Sequence, residues 1–142
     1  MTRDEVQALA AAFQATLSQR HPATIAALYA PDSVVESPMF ATLHGRKAIE
    51  ESYRQFFAMF PDMEFRLESL LIDPPGLAIT TNNVGTQEGD FFGLPPTHKR
   101  IEFLVTRVIE CSRGLIARER RIYDYTGVLV QAGVLRARPA KA

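Results

Sequence analysis

The chain has no tryptophan, a single cysteine and no net charge. Cys111 alone cannot form an intrachain disulfide, and with no histidine or second cysteine nearby it cannot build a thiolate metal site. Such usage suits a reducing interior, and a cytoplasmic location is expected. Lys and Arg together number 16, balanced by 16 Asp and Glu, so no global field favours nucleic acid or an anionic membrane surface. No apolar run approaches the roughly 18 residues of a membrane span. Asp4 and Glu5 stand where a signal peptide would carry basic and then apolar residues. His21 and His44 form no cluster with carboxylates at metal-ligand spacing, so no metal is expected.

What is present is enough for one folded unit. A chain of 142 residues fits a single domain, and a domain near that size buries about 70% of its unfolded surface. We expect that domain to cover residues 1–135, with 136–142 as a loose tail. Thr2 and Glu5 have the spacing of a capping box, and Val6, Leu9, Ala10, Phe13 and Leu17 recur at helical intervals, predicting a helix from about residue 3 to about 19. Pro22 opens a second, short helix with Ile25, Leu28 and Tyr29 inward, which Pro31-Asp32 breaks. Ser33–Ser37 then reads as a short strand. Ile49, Tyr53, Phe56, Phe57 and Phe60 predict a third helix over 46–60, closed by Pro61.

From Met63 the period changes to two, with Phe65, Leu67, Ser69 and Leu71 on one face. Asp73-Pro74-Pro75-Gly76 turns the chain, and strands follow at about 77–87, 100–110 and 115–125, the last two linked by Ser112-Arg113-Gly114. Helices followed by a run of antiparallel strands define an α+β fold.

Near the end of the last strand Asp124 is a lone carboxylate in a stretch of arginine, aliphatic and aromatic residues, Arg118-Glu119-Arg120-Arg121-Ile122-Tyr123-Asp124-Tyr125. It continues as Gly127-Val128-Leu129-Val130-Gln131-Ala132-Gly133-Val134, and a Gly93-Leu94-Pro95-Pro96-Thr97-His98-Lys99-Arg100 loop lies upstream. Residues 85–135 in this pattern resemble the SnoaL-like polyketide cyclases, cofactor-free members of the nuclear transport factor 2-like superfamily. The resemblance implies a cone-shaped α+β barrel with helices packed on a curved, mainly antiparallel sheet, a homodimer, and a pocket for a hydrophobic carbonyl compound. It also implies acid/base catalysis of an intramolecular aldol cyclisation without cofactor or metal, with Asp124 as the proton-transfer group. The sequence departs from the family at His98, where glycine is common.

The residues themselves leave a second reading of Asp124 open, as an ion-pair partner of Arg118, Arg120 or Arg121 in a non-catalytic binding or structural module. Nine Phe and four Tyr without Trp can line an apolar pocket. Candidate ligand contacts are Phe13, Tyr29, Tyr53, Phe57, Phe91 and Phe92, together with Arg107 and Arg120. Arg107 shares a strand face with Phe103 and Val105, which points it either at a ligand or at a subunit interface. Ala27 to Pro38 also resembles the ketosteroid isomerases. However, Ser37 stands where those enzymes carry their general base, Phe13 where they carry a tyrosine, and Thr106 or Arg107 where they carry a protonated aspartate. Limonene-type epoxide hydrolases need a second acid two residues after an arginine, and Arg107 is followed by Val108 and Ile109.

Overall fold

The computed structural model describes residues 1–136. The helices are α1 (Arg3–Gln19), α2 (Pro22–Ala26), α3 (Arg46–Met59) and α4 (Tyr125–Gln131), and the strands are β1 (Tyr29–Glu36), β2 (Leu43–His44), β3 (Glu64–Asp73), β4 (Gly76–Thr86), β5 (Arg100–Ser112) and β6 (Leu115–Ile122). The strands form one sheet in the order β2-β1-β6-β5-β4-β3. All neighbours run antiparallel except β1 and β6, so the chain enters the sheet at one side, leaves through α3, and returns as a meander. The expected tail beyond Arg136 lies outside the described residues.

Local chemistry accounts for the elements. The Thr2 hydroxyl accepts the Glu5 N–H at 3.2 Å while the Glu5 carboxylate accepts the Thr2 N–H at 2.7 Å, completing the capping box of α1. Gly45, at φ +89°, starts α3 in a conformation that side chains rarely adopt. The β5–β6 hairpin turns on Arg113 and Gly114, both at positive φ as a two-residue turn with the right-handed strand twist requires. Val6, Phe13 and Leu17 of α1 and Ile49 and Tyr53 of α3 pack over Ile79, Val105, Ile109 and Ile116 on the concave face. Burying each such side chain contributes about 1.5–3 kcal/mol before entropy is counted.

Three expectations need correction. Tyr29 lies on a strand, because β1 begins there and not at Ser33. The alternation expected for β3 flips part-way. A bulge falls between Leu67 and Ser69, so Phe65 and Leu67 keep the inner face, Leu67 exposed on the edge strand, while Ser69 and Leu71 turn outward and the half-buried Leu70 and Ile72 take over the inner side. The last strand ends at Ile122, not Tyr125, and the chain turns into α4. An Asp at the N-cap and Gly133 at φ +81° just past the end delimit this helix.

Candidate functional site

The concave face of the sheet carries an ionic cluster in the middle of the core. Glu119 on β6 is fully buried, Arg107 on β5 is 4% exposed and Arg121 on β6 is 8% exposed. Register places Arg107 directly opposite Arg121, a pairing of like charges that is unfavourable by itself. Glu119 lies between them. Its Oε2 accepts the Arg121 Nε–H and stands 3.8 Å from Arg107 Nε. Burial favours the neutral acid, but Arg121 and then Arg107 outweigh it and hold the carboxyl below the usual glutamate range. The same carboxylate raises Arg121 well above the ordinary arginine value against the effect of its burial.

Two tyrosines extend the cluster. Tyr29 donates its hydroxyl proton to Glu119 Oε1. Since a hydroxyl has one proton and Tyr29 has given it to an acceptor-only carboxylate, Tyr53 must be the donor in the 2.8 Å bond between the two hydroxyls. Burial pushes both tyrosines above the ordinary phenol range, Tyr29 strongly with Glu119 adding to the effect. The arginines rest on aromatic faces: Arg121 Cζ is 4.9 Å from the Tyr53 ring centre, and Arg107 Cζ is 5.8 Å from both Phe13 and Phe65.

One side of this cluster opens into a cavity of about 30 Å³ lined by Tyr53, Arg107, Arg121, Tyr123, Asn83, Ser37 and the apolar side chains of Met39, Phe40, Phe56, Phe103 and Val105. Tyr123 is held in this lining by two polar contacts. Its hydroxyl accepts the Met39 N–H at 3.1 Å and lies 3.3 Å from Ser37 Oγ. Asn83 accepts from Thr81 at 2.7 Å, and Thr81 accepts a long 3.4 Å bond from Arg107.

Of the residues singled out in the sequence, Tyr53 and Arg107 line the cavity. Tyr29 lies one hydrogen bond behind Tyr53, Phe13 underlies Arg107, and Phe57 stacks on Tyr53 with ring centres 6.2 Å apart. Phe91 is buried against Phe60, and the exposed Phe92 meets Phe40 edge-on at 5.8 Å, at the outer margin. Arg120 is not brought to the cavity: period two turns it to the outer face, where it and Arg118 hold Glu36 at 2.8 and 3.0 Å. Asp124 is exposed and does not line the cavity. Its carboxylate caps α4, accepting the Gly127 N–H at 2.9 Å, and none of the three arginines pairs with it. His98 bonds Glu88 at 2.9 Å on the surface.

The residues missed in the sequence were Glu119, Arg121 and Tyr123. Their signal was parity. Along β6 Glu119 and Arg121 share one face, which Tyr123 continues just past the strand end, while Arg118, Arg120 and Ile122 share the other, so the stretch divides into an inner polar row and an outer one. Among the described residues no group of three His, Cys, Asp or Glu side chains is placed to hold a metal ion. Nor is any described helix long and apolar enough to cross a membrane.

Helices covering the concave face of a six-stranded, mainly antiparallel sheet give a nuclear transport factor 2-like, ketosteroid isomerase-like fold. The chain belongs to the SnoaL-like polyketide cyclase family, whose model matches residues 7–132. Among solved structures it is similar to AclR of Streptomyces galilaeus, a candidate hydroxylase, at TM-score 0.84 and 20% identity, covering 97% of this chain and 91% of AclR. TsrD of Streptomyces laurentii superposes at TM-score 0.82 with 21% identity over 95% of this chain and 99% of TsrD. A steroid Delta-isomerase of Nocardioides simplex is 50% identical over 50 residues, which is 34% of this chain and 41% of that protein.

Proposed function

We propose that this protein binds a hydrophobic carbonyl compound in the Tyr53–Tyr123 cavity and catalyses proton transfer on it, as in an aldol-type cyclisation. The observation that carries this reading is the pair of buried arginines at the wall of an aromatic cavity. Guanidinium groups held in a low-dielectric site polarise a carbonyl oxygen and stabilise the enolate formed when the neighbouring carbon loses a proton. Tyr123 is the hydroxyl placed to donate to the same oxygen. Tyr53, whose proton is committed to Tyr29, contributes ring surface and lone pairs. Asp124 is the proposed proton-transfer group, and to act on a ligand in the cavity its carboxylate has to leave the α4 cap and turn inward. The cavity admits a small headgroup, so a larger ligand requires Phe40 and Phe92 to part. Ser37 reaches the cavity at the position the isomerases give to their general base, but a hydroxyl cannot hold that proton near neutrality, so isomerase chemistry is not proposed. We propose further that the protein works as a homodimer.

The second reading is a non-catalytic small-molecule binder, favoured by the cap that Asp124 provides to α4. One variant separates the two. Asparagine caps a helix about as well as aspartate, so Asp124→Asn folds with wild-type stability under either reading. The catalytic reading expects cyclisation or α-deuteration of a linear 1,3-diketone to fall by roughly 10²–10⁴-fold with binding intact. Unchanged turnover, or none in the wild type with any enolisable diketone, leaves the binder.

A further inference from the structure

The ionic cluster is unbalanced. Two arginines, each more than nine-tenths buried, share one carboxylate, and the flanking Tyr29 and Tyr53 are neutral, so the polar wall of the cavity carries one uncompensated positive charge. Its hydrogen bonding is equally incomplete. A guanidinium presents several N–H donors in a fixed fork. Among the described residues Arg121 donates one hydrogen bond, from Nε to Glu119, and Arg107 donates one, the long bond from Nη1 to Thr81. Arg121 Nη2 and Arg107 Nε are fully buried with no hydrogen-bond partner. Leaving buried donors of a charged group unpaired is costly. Structural ion clusters avoid that cost by pairing, as Arg118 and Arg120 do with Glu36 on the outer face.

Resting on the carbonyl-site reading above, we propose that the Arg107–Arg121 wall is an anion subsite, and that the ligand is a carbonyl compound presenting one anionic oxygen group there while its apolar body runs out between Phe40, Phe56 and Phe103. A single negative group brings the buried cluster to neutrality and accepts from the N–H groups that Arg107 and Arg121 present where they line the cavity. No carboxylate other than that of Glu119 touches this wall among the described residues, and Glu119 does not line the cavity. A group of a few heavy atoms is also what a cavity of about 30 Å³ accommodates without opening. The anionic oxygen is either a carboxylate of the ligand or the enolate of a 1,3-dicarbonyl.

Three small probes test this: acetoacetate, which has a carboxylate, acetylacetone, which forms an enolate, and 2-pentanone, which forms neither near neutrality. The readout is the Nε–H nuclear magnetic resonance signals of Arg107 and Arg121 in the wild type, with those of the outer-face Arg118 and Arg120 as internal controls. Saturable shifts of the inner pair with acetoacetate and not with 2-pentanone identify a carboxylate subsite. Shifts with acetylacetone accompanied by its enolate absorbance identify an enolate subsite. Arg107→Lys and Arg121→Lys keep the charge around Glu119 but lose the fork, and binding should weaken by about tenfold in each. Equal binding of 2-pentanone, equal shifts of inner and outer arginines, no binding of either anion, or unchanged affinity in both lysine variants overturns the proposal. Deuterium uptake by acetylacetone reports the catalytic reading separately. Anion binding without uptake removes catalysis and keeps the subsite, whereas uptake without anion binding does the reverse.

Discussion

Glu119 determines what its neighbours can do. With no exposure and two guanidiniums against it, it is the counter-ion that allows Arg107 and Arg121 to lie inside the fold. Replacing it by glutamine leaves two buried cations with no partner, and Glu119→Gln should lose about 3–5 kcal/mol by chemical denaturation. The pH dependence has a defined sign. The folded-state value of Glu119 is lowered, so its contribution is complete above the ordinary glutamate value of about 4.3 and is lost as pH falls through that value towards the lowered one. Wild-type stability should therefore drop on acidification below about pH 4.3, with a shallower slope in Glu119→Gln. At the alkaline end the raised values of Tyr29 and Tyr53 act oppositely, and stability is lost as pH climbs past about 10. Equal acid slopes in wild type and variant would show that Glu119 is not charged in the fold.

At the scale of elements, the loop between β4 and β5 is held by one side chain. Gln87, fully buried, accepts the Thr97 hydroxyl at 2.6 Å and donates to the Gly89 carbonyl at 3.1 Å, while its backbone pairs with Lys99 and His98. The loop is thereby pressed onto the end of α3, so closely that a Cβ on Gly89 would meet the Ala58 carbonyl at 2.0 Å. It carries Phe91 into the core and Phe92 to the margin of the cavity. Gln87→Ala removes the clamp and leaves the Thr97 and Gly89 groups to find other partners. We expect a loss of about 1–3 kcal/mol and faster amide hydrogen exchange confined to residues 88–98. Exchange that stays at the wild-type rate there would mean that the paired prolines Pro95 and Pro96 hold the loop unaided.

Across the whole molecule, the two faces of the sheet differ in kind. The concave face holds the core and the ionic cluster. The outer face exposes Leu71, Leu104, Val108 and Ile122, which register brings together around Ala78, Thr80 and Thr106 on the central strands. Its margin is charged, with Glu36, Arg118, Arg120, Glu102 and Glu110 of both signs. An apolar centre within a mixed-charge rim suits a second copy of the same surface related by a two-fold axis. Light scattering of the purified protein should give twice the chain mass, and Leu104→Lys with Val108→Lys should give a monomer that keeps its fold. A wild-type monomer at high micromolar concentration would remove the proposed homodimer.

Much of this was legible along the chain because it depends on neighbours close in sequence. Capping at Thr2, the helical spacing of Val6 to Leu17, the turns at Asp73–Gly76 and Ser112–Gly114, and period two in β5 are local patterns, and together they determined an α+β fold of this family. The cavity was not local. It needed Arg107 from β5, Tyr53 from α3 and Tyr123 from the link after β6, and a bulge between Glu110 and Cys111 that sets which residues of β6 face inward. Only the tertiary structure could assign Glu119 to the core and Arg120 to the surface, because one step along a strand reverses the face of a side chain while leaving composition unchanged. It also decided the position of Asp124. In sequence that residue is an acid at the end of a strand, and in the fold the chain bends after Ile122 and spends the carboxylate on the first turn of α4.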